Sequence, residues 1–484
     1  MTHASDYNLV ILGGGAAAFA AITEASRRDL STAMVNTGLP IGGTCVNVGC
    51  VPSKHLLAVA ESGAAASENP FDAVRYPEEP TVDWADALDG TNGLVERLRQ
   101  ENYVDVAEHF ETDIYEGYGQ LVGDTTIEVV DGADEGARIT GEKALVATGS
   151  SPWAPPIDGL DDVDYYTSET ILEERDLPES MVMLGGGYIA LEWGQILHRV
   201  GVDVTVLQRS DHVLSDMEGQ LGREMQRAFN EEGIDVVTSN DFQQVQDVAT
   251  DSGADPGQKG VAVETVIEGE EQAFTAEALF VATGVQPNNE DIGLEAVGVE
   301  TESDGAIRVD EHFQTTNSDI YAAGDVIGEP ELETVAAKEG NHAVKNAFGD
   351  EGVSIDYDAV PAVVFTSPEV AAVGTTELEY MDEHGTCSCR TVQMADVPRA
   401  KAVRNTDGLV QVVKHHETDE IVGVHMVGPR AADMIMEATL AVNFGLTVDD
   451  IIDTVHPFPT FSEAFKQACQ AFRRDTSKMS CCIE

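Results

Sequence analysis

Asn8-Leu-Val-Ile-Leu-Gly13-Gly-Gly15-Ala-Ala-Ala18 runs from an unbroken apolar stretch into three glycines and then into alanines. Such a stretch reads as a parallel strand buried on both faces. Glycines at its end let the backbone turn tightly and approach a pyrophosphate, and the following helix points its N-terminus at that phosphate. Gly13, Gly15 and Ala18 are the positions this geometry uses. One such turn is a weak signal, but a second follows at Met181-Val-Met-Leu-Gly185-Gly-Gly187-Tyr-Ile-Ala190. Each is closed by an Ala-Thr-Gly strand end, Ala147-Thr148-Gly149 and Ala282-Thr283-Gly284. The expected fold is therefore α/β, with two Rossmann-like dinucleotide-binding domains.

At the end of the next strand a ribose-binding acid is missing from both. Ala33-Met-Val35 is followed by Asn36, whose amide still donates to and accepts from a hydroxyl. Val204-Thr-Val-Leu207 is followed by Gln208 and Arg209. A neutral residue beside an arginine accommodates a 2′-phosphate, so NADPH is expected rather than NADH.

The chain has 484 residues, with 27 Lys+Arg against 87 Asp+Glu, a net charge of −60, and only nine lysines. A surface this acidic argues against nucleic-acid and anionic-membrane partners. The acids are spread along the chain, which points to a cytoplasm of very high salt, where screening removes self-repulsion. No export signal or membrane span is expected, since Leu9 to Ile22 has no basic residue before it and is broken by glycines. Seven cysteines without an export signal suggest cytosolic, chemically used thiols.

Four segments are expected: a first dinucleotide domain over 1–155, a second over 156–283, a central domain over 284–355 completing the first site, and an α+β domain over 356–484. Strand-like runs at Ala362–Phe365, Leu409–Val413 and Ile421–His425 precede two helical stretches in the last. Gly253 to Gly260 reads as a hairpin or loop insert. Cys387 and Cys389 read as loop or strand-edge thiols, Cys469 as core packing, and His415-His416 as a solvated turn.

Gly42-Gly43-Thr44-Cys45-Val-Asn-Val-Gly49-Cys50-Val-Pro-Ser-Lys54 carries the chemistry. Two cysteines this close can form a small disulfide across a tight turn. At a helix start, with Lys54 one turn on, their thiol pKa values are expected to be depressed, as a reversible dithiol couple needs.

This segment resembles the redox-active stretch of the class I pyridine nucleotide-disulfide oxidoreductases, the family of glutathione reductase, dihydrolipoamide dehydrogenase and mercuric reductase. Thr316-Asn-Ser-Asp-Ile-Tyr-Ala-Ala-Gly324-Asp325 is similar to the family's second FAD motif, whose Asp holds the ribityl chain. The resemblance spans essentially the whole chain. It implies FAD as cofactor, Cys50 against the flavin, Cys45 as the outer thiol that meets substrate, Glu192 paired with Lys54, and Tyr188 as a lid over the nicotinamide pocket. It also implies a homodimer, because family members complete each active site with the partner's C-terminal domain.

The substrate reading turns on two places. Family members that reduce disulfides carry a His-Pro-Thr-x-x-Glu segment, whose His is the acid/base for the leaving thiolate. Here Val455-His456-Pro457-Phe458-Pro459-Thr460-Phe461-Ser462-Glu463 puts Phe458 at that position when Pro459-Thr460 and Glu463 are aligned. A second alignment keeps His456-Pro457 and moves Glu463 out of register. Loss of the His is tolerable for a soft metal substrate and damaging for a disulfide. The chain also ends in Cys481-Cys482-Ile-Glu484, which resembles the carboxy-terminal pair of mercuric reductases. Pro361-Ala-Val-Val-Phe-Thr366, Val370-Ala-Ala-Val-Gly374 and Asp396-Val-Pro-Arg-Ala400 resemble that subfamily too. The resemblance therefore implies Hg(II) as substrate, held by Cys45, Cys50, Cys481 and Cys482. The competing expectations are reduction of a low-molecular-weight disulfide, dihydrolipoamide oxidation, or a non-catalytic flavoprotein subunit.

Overall fold

A computed structural model describes residues 6–67, 69–71, 73–76, 80–123, 125–250, 258–328 and 330–475. The chain forms two compact units. The first gathers the residues up to His55, Asp86–Trp153 and Gly284–Ile355, and the second gathers Leu56–Ala85, Ala154–Thr283 and the residues from Asp356 on.

The first unit is built on a seven-stranded sheet. Tyr7–Leu12 pairs in parallel with Thr32–Asn36 on one side and Arg138–Val146 on the other. Leu9, Val10, Ile11 and Leu12 are all buried, which is why this strand is continuously apolar rather than alternating. Asp113–Glu116 and Ile320–Ala322 extend the parallel part, and Thr126–Asp131 and Tyr118–Gly123 add antiparallel strands. Helix Ala16–Ser26 packs against helix Glu333–Phe348. Residues 284–355 thus complete the same unit as the N-terminal segment rather than standing alone.

The second unit repeats the pattern. Ser180–Leu184 lies between Asp203–Leu207 and Ala278–Val281 in a parallel sheet. A three-stranded antiparallel sheet flanks the stretch read as an insert. Asp241–Thr250 pairs with Gln258–Ile267, so Gln258 to Gly260 are strand, and the residues between these strands lie outside the described ones.

From Ala362 onward a five-stranded antiparallel sheet runs in the order Ala362–Val364, Glu369–Gly374, Ile421–Gly428, Leu409–Lys414, Cys389–Gln393. Helices Ala431–Asn443, Val448–Asp453 and Glu463–Gln470 contribute Ile435, Ile451, Phe465 and Cys469 to the core of this part. Cys469 is fully buried, as its apolar helical face predicts. Among the described residues no helix is long and apolar enough to cross a membrane.

Candidate active site

The first glycine turn forms because nothing larger fits. Gly13 has φ +113°, and a Cβ there would meet the Ala147 carbonyl oxygen at 2.1 Å. A Cβ on Gly43 would meet the Gly15 Cα at 2.7 Å, and the Gly42 N–H donates to the Gly14 carbonyl at 2.7 Å. The two glycine segments therefore touch backbone to backbone. Helix Ala16–Ser26 starts there with no side-chain cap and no acid in its first turn, leaving its N–H groups and positive dipole end open to a phosphate.

Asn36 sits at the end of its strand as expected, with its amide donating to the Leu39 carbonyl at 2.9 Å. Asp325 accepts from the Ser150 hydroxyl at 2.7 Å, and the Gly324 N–H donates to Glu339 at 2.7 Å. The Thr148 hydroxyl donates to the Asn288 carbonyl at 2.6 Å, and the Asn288 N–H returns to the Gly149 carbonyl at 2.9 Å. Ala18 is fully buried. This cradle, closed to a Cβ at Gly13 and Gly43 and facing the uncapped start of helix Ala16–Ser26, fits the pyrophosphate of FAD.

Cys45 lies in the short helix Gly43–Asn47, and Cys50 opens the helix Cys50–Ser67. The turn between them is tight. The Gly49 N–H bonds the Thr44 carbonyl at 2.7 Å, and a Cβ on Gly49 would come within 3.3 Å of the Cys45 Cα. Both cysteines are thiols, hydrogen-bonded to each other. Lys54 follows one turn into the helix.

The expected depression of the thiol pKa does not hold for Cys45. Its hydrogen bond to Cys50, its burial and the nearby Glu333 all push it up. Glu333, at the start of its helix, is hydrogen-bonded to Cys45 and accepts from the Tyr103 hydroxyl at 3.3 Å. Burial raises the Glu333 carboxyl as well. Nothing local in the sequence pointed to Glu333 or Tyr103, which the topology brings to the dithiol from distant segments.

In the second unit, Gly185 has φ +110°, and a Cβ would meet the Ala282 carbonyl at 2.1 Å. A Cβ on Gly186 would crowd the Gln208 side chain at 3.0 Å. Gly187 precedes helix Tyr188–Arg199, which again starts without a side-chain cap. Gln208 is buried and accepts from the Arg209 N–H at 3.0 Å, while Arg209 is exposed. These features fit a second dinucleotide. Glu192 is buried and accepts from the Phe365 N–H at 2.9 Å. Tyr188, the first residue of its helix, is 40% exposed.

His456 is tied down. Its Nε2 lies 2.7 Å from a Glu437 carboxylate oxygen and its Nδ1 lies 2.9 Å from the Thr454 carbonyl. Both ring nitrogens are thus engaged by groups of the protein. Glu463 is not its partner in a hydrogen bond. Its Oε2 is buried without one among the described residues, and burial raises its carboxyl pKa. Phe458 is 50% exposed. Cys481 and Cys482 lie outside the described residues.

The chain matches the pyridine nucleotide-disulphide oxidoreductase family over residues 7–340 and that family's dimerisation domain over residues 360–469. Among curated relatives, a mercuric reductase of Staphylococcus aureus is 37% identical, over 99% of this chain and 84% of the relative. A mercuric reductase of Streptomyces lividans is 40% identical over 98% of both chains. A dihydrolipoyl dehydrogenase of Bacillus subtilis is 34% identical, over 97% of this chain and 98% of the relative. The fold matches a solved Escherichia coli structure, a Cu(II) complex of the HOCl-induced flavoprotein disulfide reductase RclA. That match has a TM-score of 0.83 at 24% identity and covers 97% of this chain and all of that one. With its two dinucleotide turns, its paired thiols and these matches along nearly its full length, the chain belongs to the FAD-containing, NAD(P)H-dependent pyridine nucleotide-disulphide oxidoreductases.

Proposed function

We propose that this chain reduces Hg(II) to Hg(0) at the expense of NADPH. The observation that carries the reading is at the acid/base position, where Phe458 has no ionisable group and the neighbouring His456 is engaged by Glu437 and Thr454. A disulfide substrate needs a proton for its leaving thiolate, whereas Hg(II) needs soft ligands and two electrons. Similarity to mercuric reductases along nearly the whole chain supports the same reading.

Gly13, Gly15, Gly43, Thr44, Thr148, Gly149, Gly324 and Asp325 hold FAD, with Asn36 at its ribose. Gly185, Gly187, Arg209 and Gly284 hold NADPH, and Arg209 meets the 2′-phosphate. When bound, the flavin supplies the relay between a two-electron hydride donor and the dithiol. Cys45 and Cys50, each losing a proton, present two thiolates to Hg(II). The balance is one NADPH and one Hg(II) consumed, with one NADP+, one proton and one Hg(0) formed. Lys54 and Glu192 orient the site, Tyr188 covers the nicotinamide, and Cys481 and Cys482 capture Hg(II) and pass it inward by ligand exchange.

A homodimer completes the site. Met436, Leu440 and Phe444 form an exposed apolar stripe at helical spacing, and Val455 is 85% exposed nearby in sequence, as a surface awaiting a second copy requires. The charge of −60 suits a cytoplasm rich in salt. A second reading, NADPH-dependent reduction of a small disulfide, is favoured by His456-Pro457 and Glu463.

One assay separates the two. Purified holoenzyme in molar KCl receives NADPH with Hg(II) plus excess thiol in one vessel and a low-molecular-weight disulfide in the other. The first is expected to be fast, and truncation after Ser480 is expected to slow it when thiol is limiting. Rapid disulfide turnover with no effect of truncation overturns the Hg(II) reading.

A further inference from the structure

A second group of thiols lies far along the chain from the redox pair. Cys387 precedes the edge strand Cys389–Gln393, and Cys389 opens it. Their Sγ atoms lie 3.2 Å apart, and the Cys387 thiol donates to a Glu377 carboxylate oxygen at 2.9 Å. One ligand atom from each of the three residues falls within 4.8 Å of the others.

The carboxylate is held in place. Glu377 opens helix Glu377–His384, whose N-cap Thr376 forms a capping box with Glu379. Gln411 Nε2 donates to the second Glu377 oxygen at 3.0 Å. Gln411 is fully buried on the strand next to Cys389–Gln393, and its own amide oxygen has no hydrogen-bond partner among the described residues. Arg390 anchors the edge strand by stacking over Phe472 and donating to the Ala471 carbonyl at 3.3 Å. Cys387 is exposed, so the group is reachable from solvent.

We propose that Glu377, Cys387 and Cys389 form an accessory site for a thiophilic d10 cation of the Zn(II), Cd(II) and Hg(II) class. Two soft thiolates with one hard carboxylate select such ions over Mg(II) or Ca(II). On loading, the two thiols release their protons to solvent and the cation takes the place of those protons between the three ligands. A tetrahedral bis-thiolate zinc needs its sulfurs about 3.7 Å apart, from Zn–S bonds of about 2.3 Å. The present 3.2 Å must therefore open slightly, which the exposed Cys387 allows without moving the sheet. Three protein ligands leave a fourth position to water or a small thiol. The site is therefore one of exchange and storage rather than a closed structural clamp. It does not depend on the Hg(II) reading of the redox centre.

The test uses the full chain with Cys45, Cys50, Cys481 and Cys482 changed to Ser, so that Cys387 and Cys389 are the accessible thiols. Cd(II) is titrated in and followed by the ultraviolet thiolate-to-cadmium charge-transfer band. One Cd(II) per chain is expected, with loss of the band in Cys387→Ser or Cys389→Ser. Zn(II) and Hg(II) are expected to displace Cd(II), and Mg(II) is not. Glu377→Gln is expected to weaken binding about tenfold or more while the far-ultraviolet circular dichroism stays unchanged. As a second readout, bound Cd(II) should protect both thiols from iodoacetamide in peptide mass spectra. The proposal fails if no band develops above that of the Cys387→Ser variant, if Glu377→Gln binds as tightly as its parent, or if the two sulfurs are found as a disulfide that thiol reductants leave intact.

Discussion

At Glu333 a buried carboxyl meets both the Cys45 thiol and the Tyr103 hydroxyl. Its negative charge and its hydrogen bond both disfavour the Cys45 thiolate. Glu333→Gln is expected to speed alkylation of Cys45 by iodoacetamide at pH 8, by about tenfold for each unit by which the thiol pKa falls. Unchanged kinetics in peptide-resolved mass spectra would sink this assignment. His425 offers a different residue-scale test. It is buried on strand Ile421–Gly428, with Nε2 3.0 Å from the Thr375 carbonyl, and burial lowers its pKa. The unfolded chain therefore takes up a proton below about pH 6.5 that the native ring does not. Stability is lost as pH falls from that value towards the lower folded one, at up to about 1.4 kcal/mol per pH unit from this ring. His425→Gln keeps a donor for Thr375 and should show a shallower fall between pH 7 and 5 in denaturant titrations. Parallel curves for the two proteins would rule out His425 as the source.

Helix Glu333–Phe348 meets helix Ala16–Ser26 at Gly340, where a Cβ would lie 2.0 Å from the Ala17 carbonyl oxygen. Helix propensity alone favours Gly340→Ala by about 1 kcal/mol. The clash is with backbone, which cannot rotate away, and overpacking of this kind costs about 1–3 kcal/mol or more. The net change is expected to be destabilising, read as a lower Tm of the holoenzyme, and a raised Tm would refute the packing argument. Elements of this kind also mark what was legible in advance. The turns at Gly13, Gly43 and Gly185 were readable because glycine, strand and helix sit next to one another in sequence. The approach of Glu333 to Cys45 was not, because it depends on the strand Ile320–Ala322 docking beside Arg138–Val146. The pairing of His456 with Glu437, and of Glu377 with Cys387, was hidden for the same reason. Each joins a helix to a loop that folds back beside it, at a spacing no local pattern states.

Across the whole molecule the scarce cations are shared. Arg227 pairs with Glu224, Glu231 and Asp407, Arg473 with Asp419 and Asp449, and Arg308 with Glu300 and Glu302. Most of the 87 acids have no such neighbour available among 27 basic residues, so repulsion outweighs attraction over the surface. Salt shortens the Debye length from about 10 Å at 0.1 M to about 3 Å at 1 M, which removes the long-range repulsion first and leaves close pairs less affected. The Tm is expected to rise steeply between 0.1 and 2 M KCl, and more than in sucrose of equal osmolarity. A Tm independent of KCl would show that the charge is already neutralised locally.

The first unit is assembled from three stretches of chain, the last of which ends at Ile355. A ribosome therefore finishes the strand Tyr7–Leu12 and the Cys45–Cys50 turn long before it supplies the strand and helix that cover them. The nascent polypeptide must carry two nucleophilic sulfurs through much of its synthesis with their shelter still unmade. Translation-arrested chains ending before Ile320 should stay open to protease and thiol reagents over residues 7–146, and chains extended past Ile355 should close.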